Sequence, residues 1–177
     1  MDLMEQLRIK AKENPQRVAF AEADDDTMMK AVKVVSDEGI AHCVLVGNAS
    51  SLKEKALDLG VEVDKVEFVD IDDQDANDDL TARFSALPTC IYKEKAIRRR
   101  LAKPLEHSLI LQAVGDVDIT FAGITSSTED VILAGQMIIG LEDGIDTPSS
   151  LGIFDIPGFE GSEGTLLGFG DSAVCQN

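Results

Sequence analysis

The chain has 177 residues, an apolar fraction of 44% and a formal net charge of −17. Length and apolar content suffice for a packed core of ordinary domain size, which argues against disorder. With 33 acidic against 16 basic side chains, a nucleic-acid or anionic-membrane partner is excluded as the default, because such affinity rests on basic footprints.

In chain order, residues 2–14 place Leu3, Leu7 and Ala11 on one face before Pro15, which predicts a first helix. Residues 18–21 (VAFA) then form a short apolar strand. Asp24, Asp25 and Asp26 follow as caps for a second helix carrying Met28, Ala31, Val32 and Val35 on one stripe and stopping at Gly39. The unit repeats: residues 43–46 read as a buried strand, and Ser51 with Glu54 has capping-box spacing for a helix facing the core through Leu52, Ala56 and Leu59. Residues 66–71 make a third strand. From 77 to 115 strand signals vanish, and helical spacings at Leu80/Phe84, Ala96/Ile97/Leu101 and Leu105/Leu109/Ala113 take over. Residues 116–123 read as a buried strand, and Ser126, Ser127 and Thr128 open a helix that runs to Ile139. Past Pro148, residues 151–156 and 165–169 flank a glycine-rich connection, as in a hairpin. The alternation predicts an α/β fold, a mostly parallel sheet with helices on both faces. A domain boundary is expected near residues 144–148, with 1–145 as a first α/β domain and 146–177 as the opening strands of a second.

No apolar run approaches the ~20 residues of a membrane span. The charged, amphipathic start is unlike a secretory signal, so the expected location is the cytoplasm. Cys43, Cys90 and Cys175 are widely spaced and fit reduced thiols. His42 and His107 are the only histidines, lack ligand spacing and read as structural. The run Asp70, Asp72, Asp73, Asp75, Asp78 and Asp79 lacks the glycine and terminal glutamate of a calcium loop and reads as a solvated helix entry, so no metal site is expected. No Walker loop, GxGxxG fingerprint or Ser-His-Asp set occurs.

Two places carry candidate chemistry. In DVDITFAGITSSTED (residues 116–130) a strand, a glycine and hydroxyl residues enter a helix, the arrangement that offers free N–H groups and a positive dipole end to an anion. Gly123, Ser126, Ser127, Thr128 and Asp130 are therefore candidate phosphate ligands, although Ser127 with Asp130 also has the spacing of a plain helix cap. The second place is a basic cluster in an acidic chain. Lys93, Lys95, Arg98, Arg99, Arg100 and Lys103 hold six of the 16 positive charges within eleven positions. Such a concentration suits a polyanion such as coenzyme A, with Arg98 and Arg99 as candidates, or equally a solvated helix face paired with acids.

Four stretches together resemble the phosphate acetyl/butyryl transferase family: RVAFAEADDDTMMKAVKVVSDEGIAHCVLVGN, AVGDVDITFAGITSSTEDVILAGQMI, SSLGIFDIPG and GSEGTLLGFGDSAVCQN. They cover nearly the whole chain in the family's order. The resemblance implies a phosphate acyltransferase that moves an acyl group, acetyl first, between coenzyme A and inorganic phosphate. It further implies a homodimer of two-domain α/β subunits with a fold like that of isocitrate and isopropylmalate dehydrogenases. Coenzyme A is then a substrate, and no bound cofactor or metal is implied. Residues Gly123, Ser126, Ser127, Thr128 and Asp130 match the family's cleft-lining segment. Two departures stand out: Leu133 and Leu87 occupy positions where the family commonly has arginine, and each removes fixed positive charge. The family's catalytic serine, arginine and aspartate lie in a later stretch that this sequence lacks, so the catalytic residues are unassigned. The apolar terminus leads us to expect a piece of a longer chain. The alternative is a non-catalytic paralogue or subunit that binds an anion or coenzyme A in the same cleft.

Overall fold

The structure, a computed structural model, describes residues 3–162 and 164–170. Cys175 and the end of the last resembling stretch lie outside these.

The elements run α1 (Leu3–Glu13), β1 (Gln16–Phe20), α2 (Asp26–Glu38), β2 (Ala41–Gly47), α3 (Ala49–Asp58), β3 (Val66–Asp70), α4 (Gln74–Ser85), α5 (Glu94–Leu101), α6 (Pro104–Ala113), β4 (Ile119–Phe121), α7 (Thr128–Ile138), β5 (Leu151–Asp155) and β6 (Leu166–Gly170). The first four strands form one parallel sheet in the order β3-β2-β1-β4, and β5 and β6 form a separate antiparallel pair. Because successive strand side chains point to opposite faces, the buried sheet residues divide cleanly. Ala19, Val44 and Val46 pack with Leu80 and Phe84 of α4, Ile97 and Leu101 of α5, and Leu109 to Leu111 of α6. Phe20, Cys43 and Leu45 pack on the other face with Met28, Met29 and Val32 of α2 and Leu52 and Ala56 of α3. Helices therefore cover both faces of a parallel sheet, as the alternation predicts.

Local chemistry sets the boundaries. Asp25 caps α2 by accepting from the N–H groups of Thr27 (2.7 Å) and Met28 (3.1 Å), and Gly39 closes it at φ 65°, a left-handed conformation that glycine adopts without strain. The cap of α3 lies three residues before the Ser51 position expected from capping-box spacing. It is Asn48, whose side chain accepts from Ser51 N–H at 3.0 Å. Strand β4 is also shorter than the predicted 116–123. Before it, Asp116 and Asp118 turn to Arg17: the Asp116 carbonyl accepts from Arg17 Nε and the Asp118 carboxylate from Arg17 N–H, both at 2.8 Å. The acidic run past β3 is a helix entry, with Asp73 capping α4 through Ala76 N–H at 3.1 Å. No group of acids, histidines or cysteines with metal-holding geometry occurs among the described residues. No helix is long and apolar enough to cross a membrane among these residues.

Candidate functional site

In the order β3-β2-β1-β4 the chain leaves β1 toward β2 on one side, and β4 later joins β1 on the other. Ligands in open α/β sheets collect at such a switch point, beyond the carboxyl ends of the two strands. A cleft of about 610 Å³ lies there. Its floor is Ala21, Glu22 and Asp24 after β1, one wall is Thr125, Ser126, Asp130, Leu133 and Met137 at α7, and the opposite wall is Arg100 and Lys103 to Glu106 at the junction of α5 and α6.

The segment after β4 turns sharply at Gly123, whose φ of 111° is open to glycine and closed to most side chains. The turn aims successive N–H groups inward, and the anion they hold is the protein's own. The Glu22 carboxylate accepts from the N–H of Gly123 at 2.9 Å, of Ile124 at 2.6 Å and of Ser126 at 2.7 Å. Glu22 is only 4% exposed. Burial pushes its pKa up, but bonds from the Ser126 side chain and the N–H groups of Ile124, Ser126 and Thr125 outweigh burial and bring the carboxyl from 4.5 down to about 2. One residue beyond the turn, Ser127 caps α7: its Oγ accepts from Asp130 N–H at 3.1 Å and donates to the Asp130 carboxylate at 2.6 Å.

The facing wall carries fixed cations. Arg100 donates to Glu106 at 2.9 Å and stacks over the Tyr92 ring at 4.1 Å, while Tyr92 donates to the carbonyl of Met137 at 3.1 Å. This chain of contacts ties α5 to α7 across the cleft and holds the guanidinium in place. Lys103 reaches the other oxygen of Glu106 at 2.7 Å and remains largely solvent-facing.

The structure thus separates the sequence-predicted residues. Ser126 and Asp130 line the cleft, Ser127 is engaged as a cap, Thr128 begins α7, and the N–H of Gly123 is taken by Glu22. Arg98 pairs with Asp78 on α4, and neither it nor Arg99 is among the residues lining the cleft. The members of the basic cluster that do line it are Arg100 and Lys103. Leu133 lines it as well, 54% exposed, whereas Leu87 packs at the margin of the core. Sequence reasoning missed Glu22, which sits beside three aspartates that read as helix caps, and its partners lie a hundred residues onward. His107 is a core residue, with Nδ1 donating to the Leu101 carbonyl at 2.9 Å, while His42 is exposed. Cys43 and Cys90 are free thiols.

A parallel sheet covered on both faces, with a cleft of mixed polar and apolar lining at its switch point, defines an α/β domain of the kind that binds ligands beyond its strand ends. Residues 2–177 match the family model described as "Phosphate acetyl/butaryl transferase", and the chain belongs to that family. It is 30% identical over 182 residues to a phosphate acetyltransferase of Clostridium acetobutylicum, covering 100% of this chain and 54% of that protein. It is 27% identical to a phosphate acetyltransferase of Thermoanaerobacterium thermosaccharolyticum, covering 98% and 53% of the two. Among solved structures, EutD phosphotransacetylase from Staphylococcus aureus superposes with a TM-score of 0.80 at 19% identity, over 99% of this chain and 52% of that one. The chain spans about half the length of the relatives it matches.

Proposed function

We propose that the chain supplies one side of the substrate cleft of a phosphate acyltransferase, which moves an acyl group, acetyl first, between coenzyme A and inorganic phosphate. The observation that carries this reading is the meeting of Ser126 with Arg100 and Lys103 in one cleft at the β1/β4 switch point, in a chain of this family. In the reaction a coenzyme A thiolate attacks the carbonyl of an acyl phosphate. The C–S bond forms, the C–O bond to phosphorus breaks, and inorganic phosphate leaves with the electron pair. The site must hold a dianionic phosphate and stabilise an oxyanion on the way. Arg100, fixed by Glu106 and Tyr92, and Lys103 supply positive charge for the anionic groups, and the Ser126 hydroxyl lies opposite them. Gly123, Ser127, Thr128 and Asp130 shape the wall that carries Ser126, and Arg98, paired with Asp78, and Arg99 lie in α5 just before Arg100, outside the cleft lining, as a secondary source of charge. No residue of this chain is assigned as the base that takes the thiol proton.

In the same reading, residues 1–145 are a first α/β domain of the isocitrate/isopropylmalate dehydrogenase kind and 146–177 open a second. The working form is a cytoplasmic homodimer. A second reading, a non-catalytic subunit that binds coenzyme A, is favoured by one observation: an apolar Leu133 stands on the cleft wall where the family commonly has a cation.

Two measurements on the purified chain test this. Isothermal titration with coenzyme A is expected to show one site that Arg100→Ala weakens by roughly ten- to 150-fold, the range for a hydrogen-bonded charge. Acyl-phosphate formation from acetyl-CoA and phosphate separates the readings: turnover supports the enzyme, binding without turnover supports the subunit, and absence of binding refutes both.

A further inference from the structure

We propose that Glu22 is a positioning residue of this cleft: its carboxylate serves as a built-in anion that holds the turn after β4 in the shape that presents Thr125 and Ser126 to a ligand. The inference rests on reading the cleft as a substrate site.

Three observations converge on it. The first is geometric, since one carboxylate spans three N–H donors at 2.6–2.9 Å on Gly123, Ile124 and Ser126. The donors come from the short turn that joins β4 to α7. Gly123 has φ 111°, and β4 before it has only three residues. The second is burial. A carboxylate that is 4% exposed tolerates removal from water only when its oxygens are filled by donors, so Glu22 and the turn specify each other. The third is location, because Glu22 and Ser126 both line the cleft, one as floor and one as wall. The consequence differs from an ordinary helix-start anion site. A phosphate arriving at residues 123–126 finds these N–H groups already occupied and the Ser126 hydroxyl donating to Glu22, so recognition passes to the Thr125 side chain that the clamp orients and to Arg100 and Lys103 across the cleft. Three charge-assisted bonds, made ahead of any ligand, fix that geometry before binding.

The test uses residue-resolved amide exchange and coenzyme A titration on the 177-residue chain, on Glu22→Gln and on Glu22→Ala, with sodium formate added to each and sodium chloride as the ionic-strength control. In both variants the amides of Gly123, Ile124 and Ser126 should exchange at least about tenfold faster, while those of Val44 and Leu45 in β2 keep their protection. Affinity for coenzyme A should fall about tenfold in parallel. Formate, a carboxylate small enough for the space vacated in Glu22→Ala, should restore both protection and affinity, and chloride should restore neither. Unchanged exchange at the three amides overturns the inference. So does a uniform rise across the whole sheet, which would make Glu22 a global stabiliser, and so does full affinity in a variant whose turn has lost protection. Failure of formate to restore the turn overturns it too, since a carboxylate is then not what the turn requires. If the unaltered chain binds no coenzyme A, the proposed function fails, and the exchange and formate results alone decide whether the carboxylate holds the turn.

Discussion

Among the described residues, Cys43, His107 and Glu22 are titratable side chains held out of water, and the balance between burial and hydrogen bonding sets the protonation of each. Cys43, buried in β2, has its pKa pushed up to about 11 by burial, so it stays a neutral thiol. His107 is shifted below its ordinary value by burial, partly opposed by its bond to the Leu101 carbonyl, and stays neutral as a donor to that carbonyl. Glu22 goes the other way because bonds from residues 123–126 outweigh burial. A pKa held at about 2 against an ordinary 4.5 is a stability statement. The folded state gains from the ionised form, so the contribution is fully present above about pH 4.5 and is lost as pH falls toward about 2. A shift of this size corresponds to on the order of 3 kcal/mol. Amide exchange at Gly123, Ile124 and Ser126, corrected for intrinsic rates, should therefore give local opening free energies that differ between the chain and Glu22→Gln by a few kcal/mol at pH 7 and converge through that acid window. A gap that stays constant down to pH 2 would show that the carboxylate charge is not what stabilises the turn.

At the level of elements, α7 shows how one helix start answers several demands at once. Its first turn is capped by Ser127, which also donates to Asp130, its preceding N–H groups go to Glu22, and its outward face brings Leu133 and Met137 to the cleft. Since the Ser127 hydroxyl is committed within the helix, Ser127→Ala should lower unfolding free energy by about 0.5–2 kcal/mol, the usual cost of a lost cap. Coenzyme A affinity should stay within about twofold, because β-hydroxyl loss here removes no cleft donor. Weaker binding with unchanged stability would instead place that hydroxyl on a ligand. Most of this architecture was legible beforehand, because periodicity and caps are local: the stripe Met28–Val32, the stop at Gly39 and the apolar run of β2 need no knowledge of the rest of the chain. Three features were not. The α3 start depends on whether Asn48 or Ser51 reaches the free N–H groups, the length of β4 depends on Arg17 drawing Asp116 and Asp118 aside, and Glu22 acquires its role only when the sheet sets β1 beside β4. The basic cluster was visible, but which of its members face the cleft depends on the rotation of α5 about its axis and on the α5–α6 junction. The phase of α5 sends Arg98 to Asp78 and sets Arg100 along the cleft, and the α5–α6 junction adds Lys103 to its rim.

For the whole molecule, charge and function pull against each other. A chain at −17 repels phosphate and coenzyme A at long range, and the cleft itself sets Arg100 and Lys103 among Glu22, Asp24, Glu106 and Asp130. Two scales separate the forces. The attraction of Arg100 and Lys103 acts over a few ångströms, whereas the repulsion sums over the whole surface and extends as far as the Debye length permits, about 30 Å at 0.01 M salt and about 8 Å at 0.15 M. Raising ionic strength between these values therefore removes most of the repulsion and leaves the contact interactions of Arg100, partly shielded from solvent by its stacking on Tyr92, largely intact. The association rate of coenzyme A should rise by roughly two- to tenfold over that range, the reverse of the fall seen where a protein steers an oppositely charged ligand. Stopped-flow mixing at fixed pH measures it directly. A rate that falls with salt would mean that the local field of Arg100 and Lys103 dominates the approach, and that the surplus of acid lies too far from the cleft entrance to oppose an anion.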